Sequence, residues 1–125
     1  MFDHERVGHA IGSALSGPGG VALVVKVFGG VPGVIVTPAR RGLFRSQPER
    51  VQIGDWRYEV TADGRLGAAH VVNGVAIAEE VLAAGAVGPH IARALGQLVS
   101  GYGPTIIPNI DAALEALDTG SGPGF

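Results

Sequence analysis

RVQIGDWRYEVTADGRLGAAHVVNGVAIAEEVL (residues 50–82) carries three turn signals between runs of alternating apolar and polar residues: Gly54-Asp55, Ala62-Asp63-Gly64 and Asn73-Gly74. A side-chain period of two is the mark of a half-buried strand. The stretch therefore predicts an antiparallel meander. Asn-Gly is a two-residue hairpin turn, and it predicts the pairs Val72 with Val75 and His70 with Ile77. The Asp63-Gly64 turn admits two registers. A two-residue turn sets Trp56, Tyr58 and Val60 beside Gly67, Ala69 and Val71. A three-residue loop with Gly64 left-handed sets them beside Leu66, Ala68 and His70. A slip of one residue exchanges the two faces. The second register collects Trp56, Tyr58, Val60, Leu66, Ala68, Val72, Val75 and Ile77 on one side. It leaves Arg57, Glu59, Thr61, Arg65 and Glu80 on the other, and this cleaner separation selects it. The outer face then has a smooth strip of small or apolar residues, Gly67, Ala69, Val71, Ala76 and Ala78. Such a strip is expected to be covered by a helix or by the same strip of a second subunit.

Upstream, residues 2–20 predict a helix with Asp3 as its cap, Val7, Ile11, Ala14 and Leu15 inward, and a stop at Gly17-Pro18-Gly19-Gly20. VALVVKVF (21–28) is β-branched and almost wholly apolar, and reads as a buried strand. VIVTPA (34–39) reads as its neighbour. Between them, Gly-Gly-Val-Pro-Gly (29–33) lacks the Lys-Ser/Thr and the following helix of a phosphate loop. It reads as a hairpin turn. Residues 39–50 are bracketed by Pro38 and Pro48 and fit either an edge strand or a loop.

Downstream, residues 85–103 predict a helix with Pro89 at its first position. Val87, Ile91, Leu95, Leu98 and Tyr102 form its apolar stripe, with Arg93, Gln97 and Ser100 opposite. Asn109 reads as the N-cap of a last helix with Ile110, Leu114 and Leu117 inward. Strands grouped between terminal helices predict an α+β fold: an antiparallel sheet of about five strands with an N-terminal helix and two C-terminal helices packed on it. Residues 1–118 are expected to form one domain, and 119–125 a disordered tail.

Of the 125 residues, 46% are hydrophobic and 16% charged, with net charge −2. That composition supports a folded core and argues against both disorder and nucleic-acid binding. There is no cysteine, so disulfides, thiolate chemistry and cysteine zinc sites are excluded. Asp3 and Glu5 stand where a signal peptide would be basic, and no run reaches the roughly 20 apolar residues of a membrane span. The expectation is a cytoplasmic protein with no membrane partner.

Few residues suggest chemistry. His4 and His9 lie five apart on one helix, off the i, i+4 spacing of a helical metal pair. His70 and His90 share a site only if the third helix packs over the meander. The pocket would then be lined by Trp56, Tyr58, His70 and His90. Glu79 and Glu80 are adjacent on a strand and point to opposite faces. Asp111, Glu115 and Asp118 form an acidic helix face of the solvated kind. No serine has a nucleophile-elbow context. Hence no catalytic residue, metal site or cofactor is expected. Arg40, Arg41, Arg45 and Arg50, with Phe44 among them, form a patch suited to an acidic partner.

The run from Ala68 to Leu117, with VVNGV (71–75) and GPHIARALGQ (88–97), resembles the end of a small actinobacterial family, chiefly mycobacterial, with no assigned activity. The resemblance covers about the C-terminal 40% of the chain and implies a bacterial cytosolic protein. More loosely, the layout is similar to type III secretion-chaperone-like folds, α+β homodimers that bind protein segments, although no helix interrupts the strands here. The expected function is a non-enzymatic interaction module, an adaptor or chaperone-like homodimer. The alternative is a small-molecule-binding domain or minor enzyme using the Trp56, Tyr58, His70 and His90 pocket.

Overall fold

The structure is a computed structural model that describes residues 2–17, 20–42 and 46–119. Two helices, α1 (His4–Ser16) and α2 (Gly20–Phe28), precede β1 (Ile35–Thr37). A ribbon of β2 (Arg40–Arg41) and β3 (Ser46–Gln47) follows, and then the meander of β4 (Arg50–Ile53), β5 (Trp56–Val60), β6 (Leu66–Val72) and β7 (Val75–Leu82). The chain closes with α3 (Ala84–Tyr102), a short 3₁₀ turn (Pro104–Ile106) and α4 (Ile107–Thr119). The main sheet is antiparallel in the order β1-β4-β5-β6-β7. This is the α+β architecture predicted. No helix among the described residues is long and apolar enough to cross a membrane.

The register across the Asp63-Gly64 turn is the predicted one. Trp56 faces His70, Tyr58 faces Ala68, and Val60 faces Leu66. Gly64 has φ +81°, and its N–H donates to the Thr61 carbonyl at 3.0 Å. The helix-side rows of the sheet are Val36-Val51-Tyr58-Ala68-Glu80 and Ile53-Trp56-His70-Ala78. The outer rows are Ile35-Gln52-Arg57-Ala69-Glu79 and Thr37-Arg50-Glu59-Gly67-Val81.

The largest departure from expectation is α2. Its sequence reads as a strand, yet Val24, Val25, Val27 and Phe28 are buried in a helix that packs on α1, α4 and β5. A short run whose one polar residue is Lys26 has too little period to distinguish the two states. Burial on several sides satisfies it as a helix. Residues 29–33 are accordingly a helix-to-strand turn instead of a hairpin, with Gly33 at φ +89° under the Tyr102 ring. β1 pairs with β4, not with residues 21–28. Residues 39–50 hold the small β2–β3 ribbon. The tip of that ribbon, with Phe44 and Arg45, lies outside the described residues, as do residues 120–125.

Three boundaries also shift. Helix α3 starts at Ala84, five residues before Pro89, because the Ala83–Val87 segment continues directly from β7 and brings Val87 into the core. Pro89 therefore sits inside the helix and His90 beyond its first turn. Asn109 lies inside α4, since the 3₁₀ turn led by Pro104 starts the helical path earlier. The Asn73-Gly74 hairpin does pair Val72 with Val75, but a bulge between His70 and Val71 sets His70 opposite Ala78 and leaves Ile77 as the extra residue. Val72, Val75 and Ile77 are consequently exposed, Val75 and Ile77 each at 61%. They extend past the helix layer instead of entering the core.

The core lies between the helices and the helix-side rows. Val7, Ile11, Val51, Ile53, Tyr58, Leu66, Ile91, Leu95, Ile110, Leu114 and Leu117 are all buried. Asp3 caps α1 as expected, accepting from the N–H groups of Glu5 at 3.0 Å and Arg6 at 3.2 Å, a contact worth about 1 kcal/mol. Arg6 reaches Asp111 on α4 at 3.0 Å. Helix α1 packs on α3, where Gly88 stands against Gly8.

Candidate functional site

Trp56 and Tyr58 are two residues apart on β5 and point to the same, helix-covered face. The β5–β6 register sets His70 across from Trp56. Helix α3 crosses this region and lowers His90 onto both aromatic rings. Trp56 stacks on His70 with ring centroids 4.8 Å apart. His90 meets Trp56 edge-on at 4.4 Å and Tyr58 edge-on at 5.5 Å. The Tyr58 hydroxyl lies 2.7 Å from Nδ1 of His90. All four residues proposed for a pocket from sequence are therefore brought together.

The electrostatics keep both groups neutral. Burial pushes the Tyr58 hydroxyl well above its ordinary range, against the pull of the nearby Arg93 guanidinium. His90 is held below its usual 6.5, first by burial and then by Arg93, while Glu80 opposes the shift. In the tautomer with the ring hydrogen on Nε2, His90 accepts at Nδ1 from the Tyr58 hydroxyl, whose one side-chain partner among the described residues is this ring. Both side chains are almost fully enclosed, at 1% and 6% exposure, so this hydrogen bond satisfies two buried polar groups at once. Trp56 and His70 are half-buried and form the open side of the cluster. No catalytic triad follows, because the pair has no activated nucleophile. Among the described residues no group of three or more acidic or histidine side chains is placed to hold a metal.

Residues 1–119 match the family described as a domain of unknown function (DUF5073). The chain belongs to that family. Searches of the curated proteins and of the solved structures each return no match to it.

In this DUF5073 domain the other proposed surfaces fall as follows. The small-residue strip is divided by the bulge. Gly67 and Ala69 stay on the outer face, Val71 pairs with Ala76, and Ala78 passes to the helix side opposite His70. Ala69 and Val71 are buried within the chain, at 7% and 6%. Gly67 and Ala69 instead floor a trough of about 400 Å³, walled by Arg57 and Glu59 from β5 and by Glu79 and Val81 from β7. Arg50 lines the trough as well and lies 3.6 Å from Glu59. Of the arginine patch, Arg40 is exposed on β2, Arg50 is partly engaged by Glu59, the side chain of Arg41 is not described, and Arg45 lies outside the described residues. His4 and His9 are exposed.

Sequence reasoning missed Glu80 and Arg93 as neighbours of His90. Arg93 was legible, since i, i+3 residues share a helix face. Glu80 was not, because its approach depends on the β6–β7 bulge.

Proposed function

We propose that this domain is a non-enzymatic interaction module that acts as a homodimer, with the outer sheet face packed on its equal in a second copy. One observation carries the reading. Arg57 and Glu79 occupy the same cross-strand row, on either side of the small residue Ala69. Neither has an ion-pair partner among the described residues. A two-fold axis over Ala69 sets Arg57 of one copy against Glu79 of the other, twice. The low floor admits the second surface. The reading places the module in the cytoplasm of an actinobacterial cell, as the resemblance of its C-terminal part implies.

The test is native mass spectrometry with charge exchange. Wild type is expected to be a dimer. Arg57→Glu and Glu79→Arg are each expected to be monomeric, because each faces like charge. Mixed together, they are expected to form a one-to-one heterodimer, since every pair is again opposite in sign. Ala69→Glu, which fills the trough, is expected to be a monomer. A monomeric wild type, or single variants that keep the dimer mass, would overturn the reading.

A second reading, a small-molecule-binding domain or minor enzyme, is favoured by the convergence of Trp56, Tyr58, His70 and His90. Trp56 is the only tryptophan and stacks on His70, so a ligand seated on the open side is expected to change its fluorescence. His70→Ala should abolish that change. A metabolite panel that leaves Trp56 emission unmoved counts against this reading.

A further inference from the structure

Helix α3 carries Arg93, Gln97 and Ser100 at i, i+4 and i+7, one polar stripe on the face opposite its apolar one. Such a stripe usually faces open water. Here its exposed residues also border a wide, open cleft of about 790 Å³, whose other sides are His4 of α1 and the Gly54-Asp55 turn between β4 and β5.

Two close approaches hold those sides in place. The His4 ring lies against Gly96, where a Cβ would stand 3.0 Å from Nε2. The Phe2 ring meets His4 edge-on at 4.7 Å. On the other side Gly54, at φ +59°, lies against Gln97, where a Cβ would stand 3.0 Å from Oε1. The cleft is thus bordered by three separate parts of the chain, which approach closely at Gly96 and at Gly54, where the positive φ favours glycine.

Its polar lining is mixed: Arg93 only donates, Gln97, Ser100 and Tyr102 can donate or accept, and Asp55 only accepts. Arg93 is exposed and has no ion-pair partner among the described residues, although Asp55 lines the same cleft. A guanidinium flanked by amide and hydroxyl donors matches an oxyanion. Asp55, an acceptor only, matches hydroxyl groups.

We propose that this cleft binds a small ligand whose terminal oxyanion, a carboxylate or a phosphate, is held by Arg93 and whose hydroxylated body reaches Asp55. The site shares no residue with the outer sheet face, so it stands or falls independently of the dimer.

The test is an NMR titration of the full ¹⁵N-labelled chain with glycerol 3-phosphate, with gluconate and with uncharged glycerol. One or both anions are expected to shift the amides of Gly54, Asp55 and the Arg93–Gly101 segment saturably, while glycerol does not. The stronger of the two names the source of the oxyanion. Arg93→Gln, an exposed substitution compatible with the helix, is expected to weaken binding at least about tenfold. The proposal is overturned if neither anion produces saturable shifts there, or if Arg93→Gln titrates like wild type.

Discussion

Gly88→Ala is expected to lower the stability of the domain by about 1–3 kcal/mol, and Gly88→Val by more, as is usual when atoms are forced into a filled contact. A Cβ at Gly88 would stand 3.0 Å from the carbonyl oxygen and 3.2 Å from the Cα of Gly8. Both obstacles are backbone, so α1 as a whole must move away from α3. The intrinsic helix preference for alanine over glycine, about 1 kcal/mol, acts in the opposite direction and is outweighed. The same preference acts alone at Gly8, where an added Cβ meets nothing within 4 Å. Gly8→Ala is therefore expected to be neutral, or to stabilise by up to about 1 kcal/mol. Urea midpoints at one fixed protein concentration measure both, the fixed concentration being needed because dimerisation adds to apparent stability. Equal midpoints for Gly88→Ala and wild type would show that the two helices do not meet at these glycines.

The Tyr58–His90 hydrogen bond is expected to set the acid limit of the fold. Tyr58→Phe leaves Nδ1 of a buried histidine without its donor, and should cost about 1–3 kcal/mol. The pH dependence has a definite sign. His90 titrates below 6.5 in the folded chain and at its ordinary value when unfolded, so the unfolded state binds more protons as acid is added. The stability is fully present above pH 6.5. It falls as the pH drops from there through the lowered folded value, and then levels off. Glu80, which favours the charged ring, moderates the loss, while Arg93 sharpens it. His90→Gln keeps an acceptor for the Tyr58 hydroxyl but cannot titrate. It is expected to flatten the stability profile across this window. A variant profile parallel to wild type would assign the acid sensitivity elsewhere.

The meander shows how far local pattern reaches. Alternation and turn chemistry placed Tyr58, Leu66 and Ala68 on the buried face, because a two-residue period admits only two registers and one of them mixes charge with core. The same logic failed one strand further on. The bulge shifts Ile77 out of line, and no turn residue announces it. Ala78 changed face for that reason, and with it the composition of the proposed strip. The valines of α2 failed differently. Residues 21–28 are apolar at every position but Lys26, which is too little polar punctuation to choose between strand and helix, and only their packing against α1, α4 and β5 makes a helix of them.

The candidate site divides along the same line. Trp56 and Tyr58 on one face, and His70 beside Trp56, are properties of strand geometry and were legible residue by residue. That His90 joins them depends on the path of α3 over β4 and β5, which the close contact of Gly88 with Gly8 helps to set. Sequence by itself determined the α+β class, the register across the Asp63-Gly64 turn and the inward faces of α1, of α4 and, except for the exposed Tyr102, of α3, since each rests on a period of two or 3.6 within one element. Tertiary structure alone decided the helical state of α2, the bulge in β7, the Arg57–Glu79 row and the Tyr58–His90 bond. Each of these depends on which elements meet, and contacts between elements distant in the chain are not written in the period of either.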